Sequence, residues 1–278
     1  TIQNNSFYKK IKSKKMSKQF SDLGISIPLL NALSDLNIVT PTEIQQKTIP
    51  LLLSNKTDFV GIAKTGTGKT AAFGLPILQL IDANSPLLQA VILAPTRELG
   101  QQIFKNLASF AQFLPEVSIA ATCGGIPIKP QIERLASTTH IIVATPGRLI
   151  DLIQRKAVDL KETQFLVLDE ADEMVSILKE SLDEIIKELP ANHKTLLFSA
   201  TLPGTIKQLI QNYLHKNAVQ VSANMETVGN QGIDHHYIVV DPIEKLDVLM
   251  HFLNSKEGER GIIFCKTKAA VNKLAKNL

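Results

Sequence analysis

Residues 61–76 read GIAKTGTGKTAAFGLP, and this stretch decides the fold. The apolar run Phe59–Ala63 enters it as a strand would, and Ala71–Ile81 leaves it with the composition of a helix. Between them lies Lys64-Thr65-Gly66-Thr67-Gly68-Lys69-Thr70. Strand, glycine-rich turn, Lys-Thr and helix form the context in which backbone N–H groups converge on phosphate oxygens. The start of the helix adds partial positive charge. Lys69 is placed to reach β- and γ-phosphates, and the Thr70 hydroxyl to ligate Mg2+. The strict pattern opens on glycine, where this chain has Ala63. A plain flexible turn is the alternative reading.

Outward from this stretch, short β-rich apolar runs alternate with longer helical patterns. The runs Phe59–Ile62, Ala90–Ala94, Ser118–Thr122, His140–Ala144, Phe165–Leu168 and Leu196–Ser199 predict strands. Thr70–Ile81, Glu98–Phe113, Ile128–Ala136, Arg148–Arg155 and Leu178–Leu189 predict helices. Such alternation points to an α/β fold, a parallel sheet with helices on both faces. The strand runs are continuously apolar, as strands buried on both faces are. After Val221 the polar stretch SANMETVGNQGIDHH has no periodicity and reads as a linker. YIVV (Tyr237–Val240), a helix near Glu244–Leu253 and GIIFC (Gly261–Cys265) then predict a second β-α-β-α unit, cut short. The expected organisation is a basic flexible tail at 1–18, a first domain at 19–222, a linker at 223–235 and the start of a second domain at 236–278.

A phosphate loop requires a carboxylate from a neighbouring strand tip, and FLVLDEADEMV supplies one. Asp169 would face the Mg2+ ion through water, and Glu170 would polarise the attacking water. Lys69 and Asp169 are thus expected to converge from adjacent strand tips. A helix start is the alternative, since acids are favoured in a first helical turn.

The 278 residues suffice for one large or two ordinary domains. Hydrophobic content of 44% against 20% charged residues excludes a disordered chain. No apolar run approaches the ~20 residues of a membrane span. The two cysteines, Cys123 and Cys265, lie far apart and read as reduced thiols, which points to the cytoplasm. A monomer is expected. The net charge of +4 is uneven: six of the 30 Lys and Arg residues stand among residues 1–18, leaving 24 basic against 26 acidic residues elsewhere, or −2. The tail reads either as a solvated arm or as a weak, salt-sensitive attractor of nucleic acid.

On these motifs the chain resembles the DEAD-box RNA helicases of superfamily 2. AKTGTGKT (Ala63–Thr70) is similar to their motif I and DEAD (Asp169–Asp172) to motif II. PTREL (Pro95–Leu99), GG (Gly124, Gly125) and TPGR (Thr145–Arg148) between these two, and SAT (Ser199–Thr201) and IIFCKTK (Ile262–Lys268) after them, stand in the family's order, and TPTEIQ (Thr40–Gln45) resembles the Q motif. The resemblance runs from about Phe20 to the end. It implies a RecA-like fold and an RNA-dependent ATPase that couples ATP hydrolysis to local duplex unwinding.

The resemblance also implies site roles. Ala63, Lys64, Thr65, Gly66, Thr67, Gly68, Lys69 and Thr70 would hold ATP, with Asp172. Gln45 would contact the adenine edge and Phe20 would stack on the base. Gln45 could instead close a T-x-x-Q capping box after Thr42. Thr40 as N-cap with Pro41 and Glu43 following makes the better helix start and leaves Gln45 free. An isolated Phe20 also suits a core. Pro95, Thr96, Arg97, Gly124, Gly125, Thr145, Gly147 and Arg148 would hold the RNA backbone. Thr96 and Thr145 are ordinary N-cap candidates, and helix starts also bind phosphates. Contacts of that kind are independent of base sequence. Ser199 and Thr201 would link the DEAD carboxylates to unwinding, or simply satisfy a turn.

The chain departs from the family at Gly100, where many members have alanine, and at EMVSILKESL, which lacks a frequent Gly-Phe. The family's motifs V and VI, with their paired arginines, do not occur. The 278 residues alone are therefore expected to bind nucleotide weakly and hydrolyse it poorly. An RNA clamp that uses ATP only to grip is the alternative function. A P-loop kinase or transporter ATPase is a third reading, against which stand Gln45 and the ordered PTREL, TPGR and SAT.

Overall fold

The computed structural model describes residues 18–54, 57–223, 234, 236–256 and 258–278, without the side chains of 175–180. The basic tail up to residue 17 and most of the expected linker lie outside the described residues. The chain divides into two compact units, Thr1–Glu226 and Thr227–Leu278.

The first unit is built on seven parallel strands: β1 (Phe59–Ile62), β2 (Ala90–Leu93), β3 (Ile119–Thr122), β4 (Ile141–Ala144), β5 (Phe165–Leu168), β6 (Lys194–Ser199) and β7 (Val219–Ser222). Their order across the sheet is β3-β4-β2-β5-β6-β1-β7. The inner strands are buried at every position except the first of β6. This is why they read as unbroken apolar runs. The edge strand β7, Val-Gln-Val-Ser, alternates half-buried and exposed residues. It carries too little apolar signal to be read from sequence.

Alternate residues feed two cores. Phe165 and Val167 of β5 join one cluster, and Leu166 and Leu168 the other. The first cluster lies under α1 (Ile27–Asp35), α2 (Glu43–Leu53), α3 (Lys69–Leu80) and α4 (Arg97–Phe110). Its centre is aromatic, with Phe198 against Phe59 and Phe73 at centroid separations of 5.6 and 5.2 Å. After α5 (Lys129–Leu135), the helices α6 (Pro146–Gln154), α7 (Ala171–Lys187) and α8 (Gly204–Tyr213) cover the opposite face. α7 starts seven residues earlier than its apolar periodicity suggests, directly after Glu170. Asp172 and Glu173 therefore lie in its first turn, where acids complement the helix dipole.

In the second unit, α9 (Lys245–Ser255) and α10 (Lys268–Asn277) form as helices. The expected strands Tyr237–Val240 and Gly261–Cys265 are not strands. A strand exists only through ladder hydrogen bonds, and neither segment finds a partner among the described residues. Tyr237 and Phe264 are both 90% exposed.

Candidate functional site

The strand order corrects one expectation. β1, which leads into the glycine turn, and β5, which leads into Asp169, are not adjacent, because β6 lies between them. Ile62 pairs with Ser199, and the Ala63 N–H donates to the Ser199 carbonyl at 3.0 Å. The tip of β6 is thus clamped to the root of the glycine turn. The SAT stretch sits between the two motifs rather than beyond them.

Across this gap Lys69 and Glu170 meet directly. Lys69 opens α3 behind Gly68, whose φ of 88° lies in the left-handed region that only glycine adopts readily. Its Nζ lies 3.0 Å from Glu170 Oε1, and both side chains are buried. Glu170 itself is left-handed, with φ 52° and ψ 47°. For a non-glycine residue this costs about 1–2 kcal/mol, a strain typical of functional sites. The turn aims the carboxylate back at Lys69, while the Glu170 N–H donates to Asp169 Oδ1 at 3.0 Å. Burial pushes the Asp169 carboxyl up to about 6, with the Glu170 charge adding and Lys69 opposing.

Gln45 is not left free. The N-cap of α2 is Thr42 and not Thr40, and the Thr42 N–H donates to Gln45 Oε1 at 2.9 Å, the reciprocal arm of a capping box. Two N-cap candidates two residues apart differ little in local energy. The choice falls to Thr42 because Gln45 also donates Nε2 to the Gly68 carbonyl at 3.0 Å. One amide N–H and one oxygen lone pair remain available. A Cβ at residue 68 would collide with that amide nitrogen.

Thr42, Gln45, Gly68, Lys69, Asp169 and Glu170 line one cavity of about 490 Å3. Thr65, Gly66 and Thr70 also reach it, whereas Ala63, Lys64, Thr67 and Asp172 do not line it. Thr67 Oγ1 instead closes the turn on the Lys64 carbonyl at 2.7 Å. Phe20 is buried in the first core beside Leu23 and is not on the cavity wall. The far wall, Gln102, Asn106 and Ser109 of α4, had not been singled out from sequence. Their i, i+4, i+7 spacing is visible as a polar stripe. Nothing local says that it faces the glycine turn.

Thr201 donates its N–H and Oγ1 to Asp172 Oδ2 at 3.1 and 2.7 Å. The Ser199 hydroxyl donates to the Thr201 carbonyl at 2.7 Å. Burial raises the Asp172 carboxyl, but hydrogen bonding by Thr201 and Ser199 outweighs it and holds it below its ordinary value.

The expected backbone-contact residues gather at the ends of β2, β3 and β4. Thr96 caps α4, its Oγ1 accepting from the Leu99 N–H at 3.2 Å. Thr145 stands at the N-cap of α6, yet its Oγ1 accepts from Gly124 N–H at 3.2 Å, tying two motifs together. Arg97, Gly125 and Gly147 are exposed, and Pro95 is half-buried. Arg148 is half-buried and donates Nη2 to the Ile126 carbonyl at 2.9 Å.

The sequence pattern of the DEAD/DEAH box helicase family matches residues 42–209. The DEAD-box ATP-dependent RNA helicase CshA of Bacillus subtilis strain 168 is 40% identical over 265 residues, 95% of this chain and 53% of the relative. CshA of Streptococcus pneumoniae serotype 4 is 40% identical over 261 residues, 94% of this chain and 49% of the relative. The chain thus spans about half the length of the curated relatives it matches. Among solved structures, a DEAD box protein from Methanococcus jannaschii aligns at TM-score 0.69 and 35% identity, over 93% of this chain and 69% of that one. Dbp5 of Saccharomyces cerevisiae bound to RNA and ADP BeF3 aligns at TM-score 0.83 and 29% identity, over 94% and 66%. With a RecA-like sheet and a glycine turn facing the DEAD stretch, the chain belongs to the DEAD/DEAH box helicase family.

Proposed function

We propose that this chain carries the ATP-binding half of an RNA-dependent ATPase that couples ATP hydrolysis to local unwinding of RNA duplexes. The carrying observation is the convergence of Lys69, Asp169, Glu170 and Gln45 on one cavity. Lys69 exchanges its carboxylate partner for β- and γ-phosphate oxygens. Glu170, released from the ammonium, accepts a proton from the attacking water. Gln45, held by Thr42 and Gly68, offers its remaining N–H and lone pair to the adenine edge, which favours ATP over GTP.

The donor set fits Mg2+, which takes hard oxygen ligands and keeps several waters. Thr70 Oγ1 and Asp169 would hold it, the latter through water. A cation beside Asp169 relieves the burial that raises its carboxyl. Among the described residues no cluster of three or more His, Cys, Asp or Glu side chains is placed to hold a metal. The ion would therefore be shared with the phosphates. When bound, it neutralises charge on the phosphate oxygens.

RNA lies along the rim formed by Pro95, Thr96, Arg97, Gly124, Gly125, Thr145, Gly147 and Arg148, gripped by its backbone rather than its bases. The free Cys123 and Cys265 favour a reducing compartment, the cytoplasm. No described helix is long and apolar enough to cross a membrane. The test is ATP turnover by the full-length protein with and without single-stranded RNA, alongside release of a short duplex. RNA stimulation with duplex release, both abolished by Lys69→Ala, supports the proposal. Stimulation without duplex release identifies a clamp, and no RNA effect overturns the assignment.

A further inference from the structure

We propose that Gln131, outside every motif that carries the family resemblance, is a positioning residue for the RNA-contacting loop. The inference rests on the reading of the rim as an RNA backbone site. The loop Cys123–Pro127 links β3 to α5, and its crown, Gly125, has φ 77°. Gln131 lies in the first turn of α5 and is 7% exposed. Its Nε2 donates to the Cys123 carbonyl at 3.3 Å and to the Pro127 carbonyl at 3.2 Å. One amide group therefore grips both ends of the loop. Its Oε1 is buried without a partner among the described residues. Turning the amide over would set that oxygen against two carbonyls, so the two donated bonds fix its orientation.

The other anchors come from a different helix. Arg148 Nη2 donates to the Ile126 carbonyl at 2.9 Å, and Thr145 Oγ1 accepts from the Gly124 N–H at 3.2 Å. With three carbonyls held inward and the Ile126 N–H turned toward the Cys123 carbonyl in a tight turn, the Gly125 N–H finds no acceptor among the described residues. Arg97 Nη1 would lie 4.0 Å from a Cβ at Gly125, so a guanidinium stands next to this free donor. A free N–H beside a cation suits an anionic phosphate oxygen. Gln131 touches no RNA in this arrangement. It holds the shape that presents the donor.

The variant is Gln131→Met, which keeps the length of the side chain and removes both donated bonds. In the full-length protein we expect the RNA concentration for half-maximal ATP turnover to rise about tenfold, the equivalent of ~1.4 kcal/mol for the lost bonds. The half-saturating ATP concentration and the turnover at saturating RNA stay unchanged. A general loss of fold would move all three and the melting temperature. As a measurement that needs no variant, amide exchange at Gly125 is expected to slow when single-stranded oligo(U) RNA is added. If Arg97→Ala raises the RNA requirement and Gln131→Met does not, the role of Gln131 is overturned and the rim stands. If Arg97→Ala has no effect and the Gly125 amide gains no protection, the rim itself falls, and the proposal with it.

Discussion

Lys69 and Glu170 form a buried ion pair at 3.0 Å although the strands leading to them are not neighbours. β6 separates them, and the backbone of its tip residue Ser199 holds Ala63. The pair reaches over the strand that carries the SAT stretch. Glu170 is the N-cap of α7, two residues before Asp172, whose side chain is hydrogen-bonded at the tip of that strand by Ser199 and Thr201. The ion pair and the Asp172 link are therefore expected to change together when a triphosphate engages Lys69.

Glu170→Gln keeps an acceptor for Lys69 but cannot take a proton from water. Nucleotide binding should persist while turnover falls by about 10²–10⁴-fold. Lys69→Ala has a different signature. It removes phosphate binding and leaves a buried carboxylate unpaired, costing about 3–5 kcal/mol of stability. Calorimetric titration with ATP, steady-state turnover and denaturant unfolding separate the two variants. Undiminished turnover in Glu170→Gln would remove Glu170 from the chemistry.

Asp169 makes stability depend on pH. Its carboxyl is raised from 3.8 to about 6 by burial, so the folded state holds a proton that the unfolded chain releases. The resulting stabilisation is complete below about pH 4 and is lost as pH rises through about 6. The loss is about 3 kcal/mol by pH 8. Asp169→Asn should abolish this dependence and be more stable than the unaltered protein at pH 8, while losing ATP turnover. Urea unfolding at pH 5 and pH 8 gives the comparison. An unaltered protein with the same stability at both values contradicts the prediction.

Thr201→Val removes one of the two bonds to Asp172 Oδ2 and leaves the backbone N–H in place. The Asp172 carboxyl then rises toward its ordinary value. Stability held above about pH 4 is lost at a higher pH as acid is added. Since Thr201 and Asp172 do not line the cavity, half-saturation by ATP should be unchanged. RNA stimulation of turnover should weaken. A shift in ATP half-saturation with intact RNA stimulation would place Thr201 in nucleotide binding instead.

Gly100 has a local reason in this chain. A Cβ there would meet Cys123 Sγ at 3.0 Å, with Ala94 and Val143 behind. Gly100→Ala gains about 1 kcal/mol of helix propensity but loses about 1–3 kcal/mol to overpacking. It should be neutral or destabilising by itself. In a Cys123→Ala background the same change should stabilise by about 1 kcal/mol. Denaturant unfolding of the four proteins closes the cycle, and strict additivity would dismiss the contact.

The strands β1 and β5 were legible to the residue, because burial on both faces leaves an unbroken apolar run ending in a turn or an acid. So were the glycine turn and the capping by Thr96, which depend on neighbours in the chain. Tyr237–Val240 and Gly261–Cys265 read the same way, yet without ladder partners they are not strands. β7 escaped notice for the converse reason: an edge strand needs little apolar content once β1 offers it a ladder.

By itself, the sequence determined which segments are buried, where the chain turns and which charged groups stand at the strand ends. Only the tertiary structure decided that β6 lies between β1 and β5, that Thr42 rather than Thr40 caps α2, and that Gln131 grips a loop four residues upstream from inside the fold. Burial and turn chemistry are properties of short windows. The order of equally apolar parallel strands, and the choice between caps of similar local energy, depend on contacts between residues distant in the chain.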